Sequence, residues 1–283
     1  MLEILKYLEK YKYFIEEDFG LFLGDSIQIL KEIPDESVDL IFADPPYFLS
    51  NDGITCSAGK MVSVNKGDWD KSNGIIDNHF FNLKWLRECK RILNKNGTIW
   101  ISGTSHIIFS IGYALQELDF KILNDIIWYK RNAPPNLSCR YFTHSTEIIL
   151  WAAKSKRSKH YFNYRLMKKI NNNKQMRSIW DIKDSDPEKV WEISSPGSDE
   201  KKFGKHPTQK PIELLNRIIL ASSKESELVL DPFNGSGTTG IVAYSLNRKY
   251  VGIDNEKEYL DLTIKRFKNQ RSILKFAITE NHV

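Results

Sequence analysis

Cysteine is scarce in this 283-residue chain. Cys56, Cys89 and Cys139 are far apart, odd in number and make no C-x-x-C pair, which excludes a disulfide framework and leaves reduced thiols. Histidine lacks metal-ligand spacing: His79, His106, His144, His160, His206 and His282 include no H-E-x-x-H and no cysteine-paired cluster, so no metal is expected. No apolar run is long enough to cross a bilayer, and no membrane partner is expected. The stretch Met1 to Lys6 carries an early acid and no signal-peptide core, so a cytoplasmic location is expected. Acidic residues are missing altogether between Trp151 and Arg177. Hydrophobic residues make up 41% and aromatic residues 12%, enough to build a globular core, and the net charge of +5 points only weakly to an anionic partner.

The most informative stretch is Asp39-Leu40-Ile41-Phe42-Ala43-Asp44-Pro45-Pro46-Tyr47-Phe48. Its apolar run reads as a buried parallel strand. Two prolines forbid both helix and further sheet pairing, so the chain stiffens into an elbow past the strand's carboxyl end. Open α/β sheets hold their ligands there. Asp44 and the Pro45 carbonyl offer hydrogen-bond acceptors and Tyr47 a flat ring, a set suited to a planar amine, with Pro46 fixing the bend. The competing reading is a plain strand end, with Tyr47 half buried and Asp44 capping a turn.

Other segments alternate as in an α/β fold with a mostly parallel, twisted sheet. Residues 2–17 read as a surface helix. Leu21 to Leu23 is a short strand ending at Asp25, which either caps the following helix or meets a ligand. Phe48 to Asn78 is a polar loop too long to be a simple connector. A helix from Phe80 to Leu93, a turn at Asn96-Gly97, a strand from Thr98 to Ile101 and a helix from Ile107 to Leu118 follow. Ile122 to Tyr129 and Glu147 to Trp151 are expected as the last pair of strands, and Asp181 to Gly204 as an exposed loop.

A second strand end carries glycines: Leu228-Val229-Leu230 runs into Asp231-Pro232-Phe233-Asn234-Gly235-Ser236-Gly237-Thr238-Thr239-Gly240. Gly235 to Gly240 fits G-x-G-x-x-G, and the strand ending at Asp254 supplies an acid for a ribose diol. The glycines would let backbone approach a ligand closely. No Gly-Lys-Ser/Thr follows, so the loop is not Walker A. Asp231 beside the loop suits a cationic amino acid end better than a pyrophosphate, favouring S-adenosylmethionine over a nicotinamide cofactor. Thr208 and Lys210 are placed to meet a carboxylate.

The acid-free segment is interleaved with aromatics and includes Lys154, Lys156, Arg157 and Lys159. Before it, Arg131, Asn132, Asn136, Ser138 and Arg140 sit in a proline-rich stretch with amide donors. Cations neutralise phosphates and amides read base edges, so these nine residues are candidate DNA contacts. The competing reading is a solvated basic surface.

Together, Asp44-Pro45-Pro46-Tyr47 and Asp231 to Thr238 resemble the amino-group DNA methyltransferases. The order, elbow before glycine loop with the basic region between, is similar to the beta class and spans about Leu21 to Phe267. Lys66-Gly67-Asp68-Trp69-Asp70-Lys71, the stretch Asn136 to Glu147 and Gly204-Lys205-His206-Pro207-Thr208-Gln209-Lys210-Pro211 resemble the second adenine-N6 methyltransferase of DpnII/MboI-type restriction systems. The resemblance implies a Rossmann-like S-adenosylmethionine-dependent methyltransferase fold with a target-recognition insertion, and GATC as the DNA target. It implies a core first part over 18–130 with the loop 48–79, a recognition region over 131–204, a cofactor-binding part over 205–270, and terminal extensions 1–17 and 271–283. Asp44, Pro45, Pro46 and Tyr47 would be catalytic. Asp25, Asp44, Thr208, Lys210, Asp231, Phe233, Gly235, Ser236, Gly237, Thr238 and Asp254 would hold the cofactor. The partners are DNA, a cognate restriction endonuclease without physical contact and, as an open expectation, a second copy of the chain. An RNA or protein amide methyltransferase, an N4-cytosine enzyme, a nicotinamide oxidoreductase and a non-enzymatic DNA-binding module stay open on the residues alone.

Overall fold

Uninterrupted apolar runs, buried on both faces, form the middle of the molecule. The computed structural model describes residues 2–50, 54–57, 60–63, 70–130, 133, 135–180, 202–204, 206 and 208–280. Along the chain come α1 (Leu2–Leu8), a 3-10 turn (Glu9–Tyr11), β1 (Lys12–Glu16), β2 (Phe19–Leu23), α2 (Ser26–Glu32), β3 (Val38–Ala43) and a hairpin of β4 (Ile54–Ser57) and β5 (Lys60–Ser63). Then follow α3 (Ile75–Ile92), β6 (Leu93–Gly103), α4 (Ile108–Glu117), β7 (Lys121–Tyr129), β8 (Thr146–Ala153), α5 (Tyr164–Ile170) and β9 (Ile179–Trp180). The chain closes with α6 (Ile212–Ser222), β10 (Leu228–Asp231), α7 (Thr238–Ser245), β11 (Lys249–Asp254) and α8 (Lys257–Glu280).

Nine strands make one sheet in the order β1-β2-β11-β10-β3-β6-β8-β7-β9. From β2 to β6 all neighbours are parallel, while β8 runs antiparallel between β6 and β7. Side chains alternate across the sheet with period two. Ile41 and Ala43 enter the core covered by α2, α3 and α4, whereas Leu40 and Phe42 enter the core shared with α6, α7 and α8. From β10 the chain crosses by α7 to β11, and from β3 it crosses by α3 to β6 in the other direction. Connections that part in this way open a crevice at the carboxyl ends of the two strands. The register Val229↔Leu40 and Leu230↔Ile41 brings the ends of β10 and β3, Asp231 and Asp44, to that crevice.

Several expectations are corrected. Residues 2–17 are not one surface helix: Ile4 and Leu8 are buried, and Lys12–Glu16 pairs antiparallel with β2 to close the sheet edge. Helix α3 starts at Ile75, five residues before the expected Phe80, and the loop before it carries the β4–β5 hairpin. The expected turn at Asn96-Gly97 lies within β6 as an irregularity, where Val38 pairs with Leu93 but Leu40 with Thr98. The pair β8 and β7 does not end the sheet, because β9 adds to β7 in parallel. Trp180 anchors it, with its ring 6.1 Å from that of Trp100 and the Arg217 guanidinium 4.7 Å above it. The loop expected from Asp181 to Gly204 lies outside the described residues except for 202–204. Among the described residues no helix is long and apolar enough to cross a membrane, and no cluster of three or more His, Cys, Asp or Glu could hold a metal.

Candidate active site

Past Asp44 the two prolines leave Tyr47 as the next residue able to donate an amide hydrogen. Asp44 is the hub of the elbow. Its Oδ1 accepts from the Tyr47 hydroxyl at 2.7 Å and the Ser102 hydroxyl at 2.5 Å, and its Oδ2 accepts from Lys210 Nζ at 2.5 Å. Lys210 also reaches the Tyr47 hydroxyl at 3.3 Å, and lies 3.7 Å from Glu147 Oε2. Glu147 in turn pairs with Lys130 at the end of β7. Burial acts to lower the pKa of the Lys210 ammonium, but Asp44 and Glu147 outweigh it and leave it above its ordinary value. Tyr47 is buried, and burial, then Asp44 and Glu147, push its hydroxyl well up. Lys210 is therefore tied into the elbow through Asp44, beside Glu147.

The glycine loop is shaped by two acids. Asp231 Oδ1 accepts from the Phe233 amide at 3.0 Å and Oδ2 from the Thr239 hydroxyl at 2.6 Å. Asp254 Oδ2 accepts from the Gly235 amide at 2.7 Å and Oδ1 from the Glu256 amide at 2.9 Å. Burial pushes each carboxyl up to about 7, against the lowering effect of these bonds, and Asp44 and Asp254 push Asp231 further. Gly237 takes φ 72° as the N-cap of α7, and a Cβ there would lie 2.3 Å from Thr263 Cγ2. At Gly235, φ 50°, a Cβ would meet the His206 ring at 3.1 Å. Both glycines thus serve the turn and its packing on protein, and Gly235 also lines the cavity. Asp25 does cap α2, accepting from the Gln28 amide at 2.9 Å, and still faces the crevice.

The crevice is a cavity of about 300 Å³. Asp25, Asp44, Pro45, Pro46, Tyr47, Thr208, Lys210, Asp231, Phe233, Gly235, Ser236, Thr238 and Asp254 all line it, although they come from distant parts of the sequence. Gly237 lies behind the wall. Phe48, Phe81 and Phe233 form an aromatic side, with ring centroids 5.7 Å and 6.3 Å apart in sequence. Two carboxylates with raised pKa values beside an aromatic wall, with the Lys210 ammonium already paired to Asp44, leave room for further positive charge. A ligand with an ammonium and a sulfonium at one end and a stacking ring at the other fits that chemistry.

A family model described as DNA methylase, of the N6/N4 type, matches residues 38–265. The chain belongs to that DNA methylase family. Curated relatives of this methylase include the type II methyltransferases M2.LlaDCHI of Lactococcus lactis subsp. cremoris, 54% identical over 90% of this chain and 91% of that one, and M2.MboI of Moraxella bovis, 49% identical over 93% of each. Among solved structures, the complex of M1.HpyAVI with SAM is 29% identical, with a TM-score of 0.61 over 88% of this chain and 98% of that one. The chain is accordingly a DNA methyltransferase of an S-adenosylmethionine-dependent family.

On the methylase fold the nine candidate DNA contacts separate. The 130–145 connection leaves β7 at Tyr129 and returns at Thr146, close to Gly103 at the carboxyl end of β6, on the cavity's side of the sheet. Arg131 and Asn132 lie outside the described residues. Asn136 donates to the Tyr141 carbonyl at 2.7 Å and accepts from the Ser138 amide and hydroxyl, so these two side chains shape the loop itself. Arg140 is exposed on it. Lys154, Lys156, Arg157 and Lys159 follow the other end of β8. Ala153 is five residues from Ile148, about 17 Å at ~3.3 Å per residue. Lys154 donates to the Leu93 carbonyl at 2.5 Å and pairs with Glu36. That basic run lies at the opposite end of the sheet from the elbow.

Site residues missed from the sequence are Asp70, Phe81, Ser102, Glu147, His206 and Tyr259. Ser102 carried a signal: it is the polar residue closing a buried strand next to β3. The others are brought in by long-range folding.

Proposed function

We propose that this methyltransferase transfers a methyl group from S-adenosylmethionine to N6 of adenine in GATC, as the second modification enzyme of a DpnII/MboI-type restriction system. The observation carrying this reading is Asp44, at the end of β3, facing the same cavity as Asp231 and Asp254 at the ends of β10 and β11. Identity of 54% to M2.DpnII of Streptococcus pneumoniae over 90% of the chain supports the subfamily. An acid rather than serine opening the elbow favours adenine over cytosine.

When bound, S-adenosylmethionine supplies an electrophilic methyl on a sulfonium. Asp231 and Phe233, with Gly235 and Ser236 of the same loop, would hold its methionine and ribose end, Asp254 the ribose hydroxyls, and Asp25 the adenine end. Thr208 would meet the carboxylate, and Gly237 and Thr238 set the turn into α7. A target N6 is buried in the duplex, so the base is flipped out at a cost of a few kcal/mol. Tyr47 flanks the flipped ring. A carboxylate has about four acceptor sites. Asp44 fills three with Tyr47, Ser102 and Lys210, which orient it, and turns the fourth to the amine. The Pro45 carbonyl takes the other amine hydrogen. These bonds favour a pyramidal nitrogen whose lone pair points at the methyl carbon; transfer is an in-line displacement governed by positioning, in which the N–CH3 bond forms as the S–CH3 bond breaks, S-adenosylhomocysteine departs as the neutral thioether and the methylated amine gives up one proton to solvent.

Arg140 contacts DNA beside the elbow. A DNA substrate places the work in the cytoplasm. A cognate endonuclease completes the system, which implies no physical contact with this chain, and a homodimer is read by sedimentation. The test is labelled methyl transfer to paired duplexes with and without GATC. Label on the GATC duplex alone supports the reading, and label on RNA or protein instead of DNA overturns it.

A further inference from the structure

We infer that Asp70 is a positioning residue for methyl transfer, holding the backbone of the catalytic elbow from a distant point in the chain. The prolines stiffen Pro45 and Pro46 but leave the next three residues to be fixed otherwise. Phe48 takes φ 56°, a left-handed conformation that bulky side chains seldom adopt. A left-handed residue within a turn directs successive amides to one point, a concavity that binds anions. The anion here is Asp70. Its Oδ1 accepts from the Tyr47 amide at 2.9 Å and the Phe48 amide at 2.8 Å. Its Oδ2 accepts from the Leu49 amide at 3.1 Å and the Ser50 hydroxyl at 2.9 Å. The Asp70 carbonyl accepts from the Ser50 amide at 3.2 Å, which closes the ring.

Asp70 is 0% exposed, and a buried carboxylate persists only where its oxygens are well bonded. All four donors to its carboxylate come from Tyr47 to Ser50. The bent elbow and the buried charge therefore require each other. What the elbow gains is direction: Tyr47 and Phe48 both line the cavity, and the Tyr47 hydroxyl is one of the groups orienting Asp44. A backbone shift at Tyr47 moves that hydroxyl, and misplacement of about 1 Å costs on the order of 100-fold in rate. Asp70 also pins the chain that departs at Ser50 to the place where it returns, so displacement of either end is felt at Tyr47.

The rate readout rests on the DNA methyltransferase reading; the clamp does not. In Asp70→Asn the side chain keeps its size and one acceptor oxygen, but an amide NH2 opposes the Leu49 amide. Two measurements on the full chain decide. Single-turnover transfer to a GATC duplex, normalised to bound S-adenosylmethionine, is expected to fall about 30- to 100-fold, with dissociation constants for cofactor and DNA within about threefold of wild type. Hydrogen exchange of the cofactor-free protein is expected to quicken at least about tenfold at the amides of residues 47–49 while β3 and β10 keep their protection. An unchanged normalised rate in folded Asp70→Asn, or a loss explained wholly by weaker cofactor binding, overturns the positioning role. Unchanged exchange at 47–49 overturns the clamp. Wild-type protein that transfers nothing to DNA would count against the functional reading, with the exchange result still deciding the clamp. Asp70→Ala serves as the stronger variant, and Asp70→Asn alone decides if that protein does not fold.

Discussion

Replacing Asp231 by asparagine should make the protein more stable and the methyltransferase useless at the same position. Asp231 is 2% exposed, and burial raises its carboxyl from 3.8 to about 7. At about 1.4 kcal/mol per pH unit, holding it ionised above pH 7 costs up to about 4 kcal/mol. The sign follows from proton counting. Between pH 3.8 and about 7 the folded state binds the proton more tightly than the unfolded state, so stability falls as pH rises through that window, and the full penalty stands above it. Asparagine fits the same bonds: its oxygen accepts from the Phe233 amide, and the Thr239 hydroxyl turns round to accept from its NH2. Urea titrations from pH 5 to 8 should therefore show Asp231→Asn overtaking wild type as pH rises, by about 1 to 4 kcal/mol at pH 8. Calorimetry should show the opposite for S-adenosylmethionine, which loses its anionic partner. In the wild type, affinity for the cofactor should weaken by up to about tenfold per pH unit below 7. A pH-independent stability difference, or unchanged cofactor affinity in the variant, would refute the reasoning.

Other perturbations have equally direct outcomes. Lys210→Met leaves Asp44, its side chain only 12% exposed, without its countercharge, and should cost about 3 kcal/mol in urea unfolding along with most of the transfer rate; a stable, active variant would show that the pair does not organise the elbow. Gly237→Ala forces a left-handed alanine onto Thr263 and should destabilise the fold by about 2 kcal/mol or more. Thr263→Ala should recover part of that loss, and no recovery would place the strain elsewhere. Charge reversal of Lys156, Arg157 and Lys159 together should change DNA affinity less than about twofold at physiological salt, because the elbow lies about two Debye lengths away. Arg140→Ala should weaken binding and reduce the salt slope by about 0.9; the reverse pattern would put DNA on the other end of the sheet.

What was legible in the chain was local. Apolar runs ending in Asp44, Asp231 and Asp254 announced β3, β10 and β11, because a parallel strand buried on both faces has no polar alternation to obscure it. The residues that follow such strands share a cavity by topology alone, which is why motifs far apart in the chain could be joined. β1 was hidden because Lys12–Glu16 carries charges at both ends and earns its place only by pairing with β2. β9 has two residues, too few to show any period. Lys210 meets Asp44 across 166 positions, so its spacing could not reveal that partner. The basic run after Trp151 shows the same limit: it lacks acids in sequence, yet Glu36, 118 positions away, lies against Lys154. Asp70 had no local signature, since its role is defined by amides of a turn that only the fold presents to it.

The most direct test of the elbow's role is base-resolved sequencing of plasmid DNA after incubation with the enzyme and S-adenosylmethionine, with Asp44→Ala in parallel. N6-methyladenine confined to GATC, made by wild type and reduced by orders of magnitude in the variant, is the expected result. Methyl groups on cytosine N4, or an undiminished yield from Asp44→Ala, would contradict the account that this elbow aims an adenine amine.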